Sequence, residues 1–567
     1  MYGLLRRLAG VSIGSSSKGY ASFTLRDVVR ETSDEAGTLL ARFAKHIAVE
    51  RYKDENHVLS PTTIRYADYF PITDDRYFQR SVEKTAASQL PALIIHASSY
   101  RANAATPKYA MALNALDAQC VSQLDKMDTT TVLETLYAFL FLIPNWLKRT
   151  DFYYKAVNRL AREFHHDDSK ERFVQVCFYL GLQKKTQNTS ELRSLLESHL
   201  EKHLPNLSEM DLAVICNAAY KTSTLVTGEL REAFESALIR GILSIQLGNG
   251  QDALLVSYVK SLRLQRAGTE EVCRHLANIC MNPAEISQLE PRGLTHILAF
   301  FAEQLWDQSD CLKVLVDRLS PLNMRAKDFA TFLWASAQLN IQFSASRLKQ
   351  LELVALRKLE NREYDYFPDN LVDTCLSLSC FGHYSKQLID AAEDLKASQR
   401  RQRAQPKVDS RLTTLRSAIA IEQPSWSELQ SQEIFKEFAR TPSYLLKDRS
   451  DLTTYARDLT SDAEIEGVDL VCPISGINLP SLRVQTVSNP SKIYFVELLT
   501  PQQTLRFSQQ PTSLMRLKRR LLESLGQKVV VLHSDKMASN AKELQELLEA
   551  SSETKKDESD VALGLSI

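Results

Sequence analysis

From about residue 36 to 398, apolar residues recur at i, i+3, i+4 and i+7 between short polar or proline-marked breaks, with few alternating β-branched runs. This pattern predicts helix after helix. The segments also echo one another. PALIIHASSYR (91–101), DLAVICNAAYK (211–221) and DFATFLWASAQ (328–338) align so that Ala92, Leu212 and Phe329 coincide, and related helix starts fall at Val132, Phe173, Ala253, Leu294 and Leu371. Successive anchors lie 35 to 42 residues apart. A period of about 40 residues suits two helices and their turns, stacked so that each hairpin buries its apolar face on its neighbours. The expected class is therefore mostly α, an α-α helical-repeat solenoid over 36–398; a chance alignment of ordinary helices is the competing reading.

Past residue 396 the character changes. Lys396, Arg400, Arg401, Arg403, Lys407, Arg411 and Arg416 stand against Asp409 alone, so residues 399–425 are expected to be a basic linker or exposed helix end. A helical connector is expected over 426–466. From Gly467 the period shortens to that of strands: LRVQTV (482–487) and KIYFVELL (492–499), split by Ser-Asn-Pro-Ser, suggest an antiparallel hairpin. A helix then ends at Gly526, KVVVLH (528–533) reads as a buried strand, and NAKELQELLEA (540–550) as a last helix. A small C-terminal α/β module over 467–550, of order β, β, α, β, α, is expected, with a parallel crossover between helix and last strand. The acidic tail 551–567 has no core to join.

Composition narrows what such a chain does. Lys+Arg and Asp+Glu balance at 69 each, so no global positive field draws it onto nucleic acid, and any such binding rests on a local patch. The nine cysteines are scattered without a CxxC pair and read as buried thiols; Cys273, His275 and Cys280 do not converge on one ion. No metal or other cofactor is expected. The apolar run in VLETLYAFLFLIPNW is cut short of a bilayer span by Glu134, Pro144 and Asn145. The first 26 residues carry Arg6, Arg7, Lys18 and Arg26, no acid, and an amphipathic start at Leu4, Leu5 and Leu8, the composition of a mitochondrial or plastid transit peptide over 1–20.

The strand Tyr494-Phe495-Val496-Glu497-Leu498, the helix Leu517-Lys518-Arg519-Arg520-Leu521-Leu522, Gly526 and the strand Val529-Val530-Val531-Leu532 together resemble the RAP domain. This module closes helical-repeat proteins of mitochondria and plastids, the FAST-kinase family among them. The resemblance implies a mitochondrial matrix protein that binds organellar transcripts or rRNA in processing, stability, translation or ribosome assembly, with ribosomal or RNA-processing proteins as further partners. It also implies an endonuclease-like fold for the module. One departure is plain: members commonly follow the strand glutamate with Asp-Gly, whereas Glu497 is followed by Leu498-Leu499-Thr500-Pro501.

That departure bears on catalysis. Endonuclease-type sites need an acid on one strand and E-x-K on the next, so that two carboxylates hold a divalent ion while a lysine supports the attacking water. Leu499 stands where that lysine belongs, and GINLPSLRV, the preceding strand region, has no acid; only Asp469 and Asp535 are at hand to approach in space. Nuclease activity is therefore disfavoured. No phosphate loop of GxxxxGK[ST] type and no kinase set of glycine loop, HRD and DFG occurs. His165-His166-Asp167-Asp168 reads as a polar helix end.

What remains is SLMRLKRRLLESLGQKVVVLH (513–533). On a helical wheel Leu514, Leu517, Leu521 and Leu525 share one side and Arg516, Arg519 and Arg520 the other, so the leucines are expected on the sheet and the arginines in solvent. Residues 501–540 hold seven cations against Glu523 and Asp535, a surplus of five. The expected RNA contacts are phosphate contacts from Arg506, Arg516, Lys518, Arg519, Arg520 and Lys528, with Phe507 stacking on an unpaired base or lying in the core. The competing function is a helical scaffold that binds proteins, consistent with the neutral charge and the lack of a visible basic stripe.

Overall fold

The computed structural model describes residues 68–99, 107–142, 150–165, 168–182, 188–247, 251–365, 367–399, 406–427, 431–463, 465–487 and 489–533, with isolated positions outside those stretches. The transit-peptide region, the acidic tail, Asp535 and most of 540–550 lie outside the described residues. The chain divides into two compact units, Met1–Gly268 and Thr269–Ile567.

The first unit holds α1 (Asp75–Glu83), α2 (Leu90–Ser99), α3 (Pro107–Gln123), α4 (Thr129–Leu142), α5 (Asp151–Arg162), α6 (Lys170–Leu180), α7 (Asn188–His203), α8 (Glu209–Thr222), α9 (Leu230–Ser244) and α10 (Asp252–Gln265). Helices pack on their next-but-one neighbours: α2 on α4, α6 on α8 and α8 on α10 in one layer, and α1 on α3, α3 on α5, α5 on α7 and α7 on α9 in the other. Polar side chains start them. Thr150 and Ser169 each accept a backbone N–H of the first turn, and Ser208 with Asp211 forms a reciprocal capping box on α8.

The second unit continues with α11 (Glu270–Met281), α12 (Pro283–Ile286), α13 (Pro291–Gln304), α14 (Ser309–Arg318), α15 (Ala326–Gln338), α16 (Ala345–Glu360), α17 (Asp369–Cys380), α18 (Lys386–Gln399) and α19 (Pro406–Glu422). Here α13 packs on α15, α15 on α17 and α17 on α19, while α11 packs on α14 and α16 on α18. Each spaced anchor, from Ala92 to Leu371, falls among the second to fourth residues of α2, α4, α6, α8, α10, α13, α15 or α17, and each is buried.

One expectation is corrected. The segment expected as a basic linker is, over 406–422, the helix α19, which buries Val408, Leu412, Leu415 and Ala418. Its cations find acids on neighbouring helices: Arg411 pairs with Asp373 at 2.6 Å and Arg416 with Glu393 at 2.5 Å. A charge run read in isolation lacks those partners, which lie 38 and 23 residues away.

The C-terminal module is a four-stranded mixed sheet in the order β1 (Ile465–Val471), β2 (Ser481–Thr486), β3 (Asn489–Leu499), β4 (Lys528–His533). The β2–β3 hairpin is antiparallel and β3–β4 parallel, as the pattern predicts; β1 is an additional antiparallel strand, so the order is β, β, β, α, β. The connector is part of the module. After α20 (Ser431–Ile434) and α21 (Ser443–Leu446), α22 (Ser450–Thr460) sets Leu452, Tyr455 and Leu459 against Leu482, Val484, Val496 and Val530 on one sheet face. On the other face α23 (Ser513–Ser524) packs Leu517, Leu521 and Leu522 with Phe495 and with Ala418 of α19. A side chain at Gly476 would meet the backbone of Thr413 and Thr414 at 2.9 Å, so this glycine lets the β1–β2 loop press onto α19.

Candidate functional site

The site begins with α23, the helix carrying the excess cations. Its chain turns out of the helix at Gly526, whose φ of +76° lets the Gln527 N–H reach back to the Leu522 carbonyl. Fully burying Leu517, Leu521 and Leu522 contributes about 1.5–3 kcal/mol each and fixes the rotation of the helix. That rotation decides where every cation goes.

Lys518 points into the sheet and is fully buried. Its ammonium donates to the Leu479 carbonyl at 2.8 Å, to Ser481 Oγ at 2.5 Å and to Glu497 Oε2 at 2.9 Å, and Ser481 in turn donates to Glu497 Oε1 at 2.7 Å. The three ammonium protons therefore have three acceptors. The Glu497 carboxylate, 1 % exposed, is neutralised in place. An ammonium with every proton committed is no general base, and a carboxylate already paired with it is a poor metal ligand.

The arginines reach the ends of three alternate helices, α13, α15 and α17, that pack one on the next. Arg506 donates from Nε to the Gln304 carbonyl, the last residue of α13, at 3.0 Å. Arg516 donates to the Ala337 carbonyl near the end of α15 at 2.5 Å, and Ser513 Oγ donates to Gln338 Oε1 at 2.8 Å. Arg520 donates to the Ser379 and Cys380 carbonyls at the end of α17, at 2.5 and 3.0 Å, and forks onto Glu422 of α19 at 2.6 and 3.0 Å. Helix C-termini carry unpaired carbonyls and the negative end of the macrodipole, so cations belong there.

The loop before α23 is pinned in the same way. Thr504 and Pro511 form a bridge that closes it, the Arg506 N–H donates to the Leu305 carbonyl at 2.9 Å, and the N–H groups of Phe507 and Ser508 donate to the two oxygens of Asp307 at 2.8 and 3.0 Å. The Phe507 ring stands edge-on to Trp306 with centroids 4.8 Å apart.

These positions correct the expectation for α23. The helix is buried on two sides, because it lies between the sheet and α15, α17 and α19. Lys518 is withdrawn from solvent, and Arg516 and Arg520 are partly buried and committed to carbonyls and Glu422. Arg519 keeps to the rim, 3.8 Å from Glu523, and Lys528 is exposed with its ammonium 5.8 Å from the Tyr494 ring centroid. Arg506 and Phe507 stay substantially open, and Phe507 is not core. Across the sheet Asp469 lies 3.3 Å from Arg483, which Glu437 also holds and Phe438 covers, so that acid is engaged away from Glu497. Asp168 pairs with Arg172, as a polar helix start. Among the described residues, no group of His, Cys, Asp or Glu is placed to hold a metal ion.

Two arginines one turn apart titrate in opposite directions. Burial lowers Arg516 to about 10, since carbonyls alone receive it. Arg520 also suffers burial, but its hydrogen bonds and charge interaction with Glu422 outweigh that and raise it. The same interface pushes the Cys380 thiol up to about 11, burial acting against two nearby arginines. Sequence reasoning missed Ser481, Asp307, Gln338 and Glu422 as partners. Only the α23 cations themselves signal that acceptors must exist, and nothing local says where.

Among the described residues no helix is long and apolar enough to cross a membrane. No protein-family model matches the chain, and no curated protein does.

Proposed function

We infer that the protein is an organellar RNA-binding protein without nuclease activity, a helical-repeat solenoid closed by a RAP-type, endonuclease-like module. One observation carries the reading. The order α22, β1, β2, β3, α23, β4 is compatible with the endonuclease-like fold that the resemblance implies, yet Leu499 stands where the lysine of E-x-K belongs, Ser481 sits beside Glu497 where an acid would help hold a metal, and Lys518 bonds to both. An ammonium takes the place of the divalent ion. The module holds its shape and gives up cutting, and the resemblance assigns the ligand as mitochondrial transcript or rRNA in the matrix.

The packing of α23 reassigns the contacts. Arg506, Arg519 and Lys528 remain for phosphate, with Phe507 beside them, and the rest of the binding falls to the helical array. Three phosphate contacts from the module give a single-strand salt slope of about −2, against about −5 if all seven cations of 501–540 were engaged. The test is binding of the full chain to single-stranded RNA over a salt series, together with crosslinking in isolated mitochondria and sequencing of bound RNA. Enrichment of specific transcripts supports the reading, as does a slope that becomes shallower by about 2 when Arg506, Arg519 and Lys528 are replaced together; no enrichment over background sinks it.

A second reading has its own support. The capping of α13, α15 and α17 by module arginines, in a chain of zero net charge, fits a protein-binding scaffold whose terminal module braces the array. Absence of RNA together with stoichiometric recovery of mitochondrial proteins on the full chain favours it.

A further inference from the structure

We propose that the tip of the 504–511 loop, mounted on the end of α13, is a stacking platform for one unpaired nucleotide, with Phe507 under the base and Arg506 toward its phosphate. The proposal deepens the RNA-binding reading and rests on it.

Three independent features of the loop converge. First, Phe507 is 53 % exposed, although large aromatic side chains normally gain most by burial. Its exposure is not slackness. The backbone on both sides is held by the Asp307 carboxylate and the Leu305 carbonyl, Leu505 N–H donates to the Gln510 carbonyl, and the ring meets that of Trp306 at an interplanar angle of 88°. The positive φ of Leu305 (+56°) and Gln509 (+57°), uncommon for residues with a Cβ, shapes both sides of this mount. A ring held this way loses little freedom on binding.

Second, Trp306 is 4 % exposed, so it backs the Phe507 ring from the inside and leaves Phe507 as the aromatic surface of the tip. Third, Arg506 lies with its guanidinium 5.9 Å from the Trp306 ring centroid, donates to the Gln304 carbonyl, and stands at a loose 3.9 Å from Glu270.

The chemistry of the tip selects the occupant. Both Asp307 oxygens are already used, so the tip offers an aromatic face and donors. An aliphatic anchor from a protein would leave the exposed Arg506 guanidinium unanswered. A planar base joined to a phosphate answers the ring and the guanidinium together.

The experiment measures binding of a fluorescein-labelled, single-stranded 12-nucleotide uridine RNA to the full chain and to Phe507→Ala, Phe507→Leu and Phe507→Trp, with thermal melting of each. Alanine and leucine are expected to weaken binding about tenfold and tryptophan to preserve it, because stacking needs a π face and not merely apolar bulk. Melting should change little. The same RNA carrying 4-thiouridine should crosslink within residues 504–510. Wild-type binding that leucine and alanine leave untouched, without crosslinks in the loop, overturns the platform while leaving the RNA reading standing and assigns the exposed ring to a protein contact. A wild-type chain that binds no RNA overturns both.

Discussion

The two sides of α23 handle positive charge in different ways. Toward the sheet, one ammonium is taken wholly out of water and given a complete set of acceptors, Leu479, Ser481 and Glu497. Toward the array, guanidinium groups stay at a partly wet rim and finish helices that would otherwise end in bare carbonyls. The difference separates a charge that specifies the interior of the module from charges that fix where the module sits on α15, α17 and α19. It also removes most of the cations that a helical wheel offers to phosphate.

The sheet side should break hardest. Lys518→Met leaves Glu497 buried without its counter-charge, and a loss of about 3–5 kcal/mol is expected in urea denaturation of the full chain. Adding Glu497→Gln should recover a large part of that loss, since the stranded charge is gone. A single lysine variant as stable as the parent would mean that the pair is open to water and the sheet side no different from the rim.

The array side should respond less, and unevenly. Arg520→Met strands Glu422 and opens the end of α17, for an expected loss of about 2 kcal/mol. Arg516→Met should cost under about 1 kcal/mol, because its two carbonyl bonds are offset by the burial that lowers it to about 10. The pH dependence has a definite sign. A base lowered in the fold costs stability while charged, so its burden is full at pH 7 and lifts only as the pH climbs above about 10. Equal losses in the two variants, compared at pH 7, would remove the role given to Glu422.

How far this was readable from the chain depends on the distance between partners. The helix starts followed from apolar spacing between polar or proline-marked breaks, and the β2–β3 hairpin and parallel β4 followed from alternation and turn residues, because each of those signals acts within a few positions. The strand β1 was missed: the IEGVDLV segment has a glycine and two acids that blur its alternation, and its pairing to β2 supplies what the pattern lacks. The cations of α23 were read correctly as a surplus, and the outward reading holds for Arg519 but not for Arg516, Lys518 or Arg520. Arg516 finds its acceptor 179 residues away, Arg520 finds Ser379 141 away, and Glu422, at 98, is no nearer in any pattern a local window sees. The wheel also assumed one buried side, whereas α23 has two.

The smallest effect sharpens the contrast most. Arg519 has Glu523 at 3.8 Å and, among the described residues, no carbonyl of the array, so Arg519→Glu should shift stability by less than about 0.5 kcal/mol even though it reverses a charge beside another acid. Reversing Arg516 and Arg520 together should instead cost several kcal/mol, because each new carboxylate would face helix carbonyls at a negative helix end. RNA retention then has a diagnostic order. If Arg519→Glu weakens retention in a chain that melts normally, the rim contributes phosphate contacts directly. If retention falls only in the double reversal, in step with its melting temperature, the arginines act by holding the module against the array, and the phosphate contacts lie on other residues.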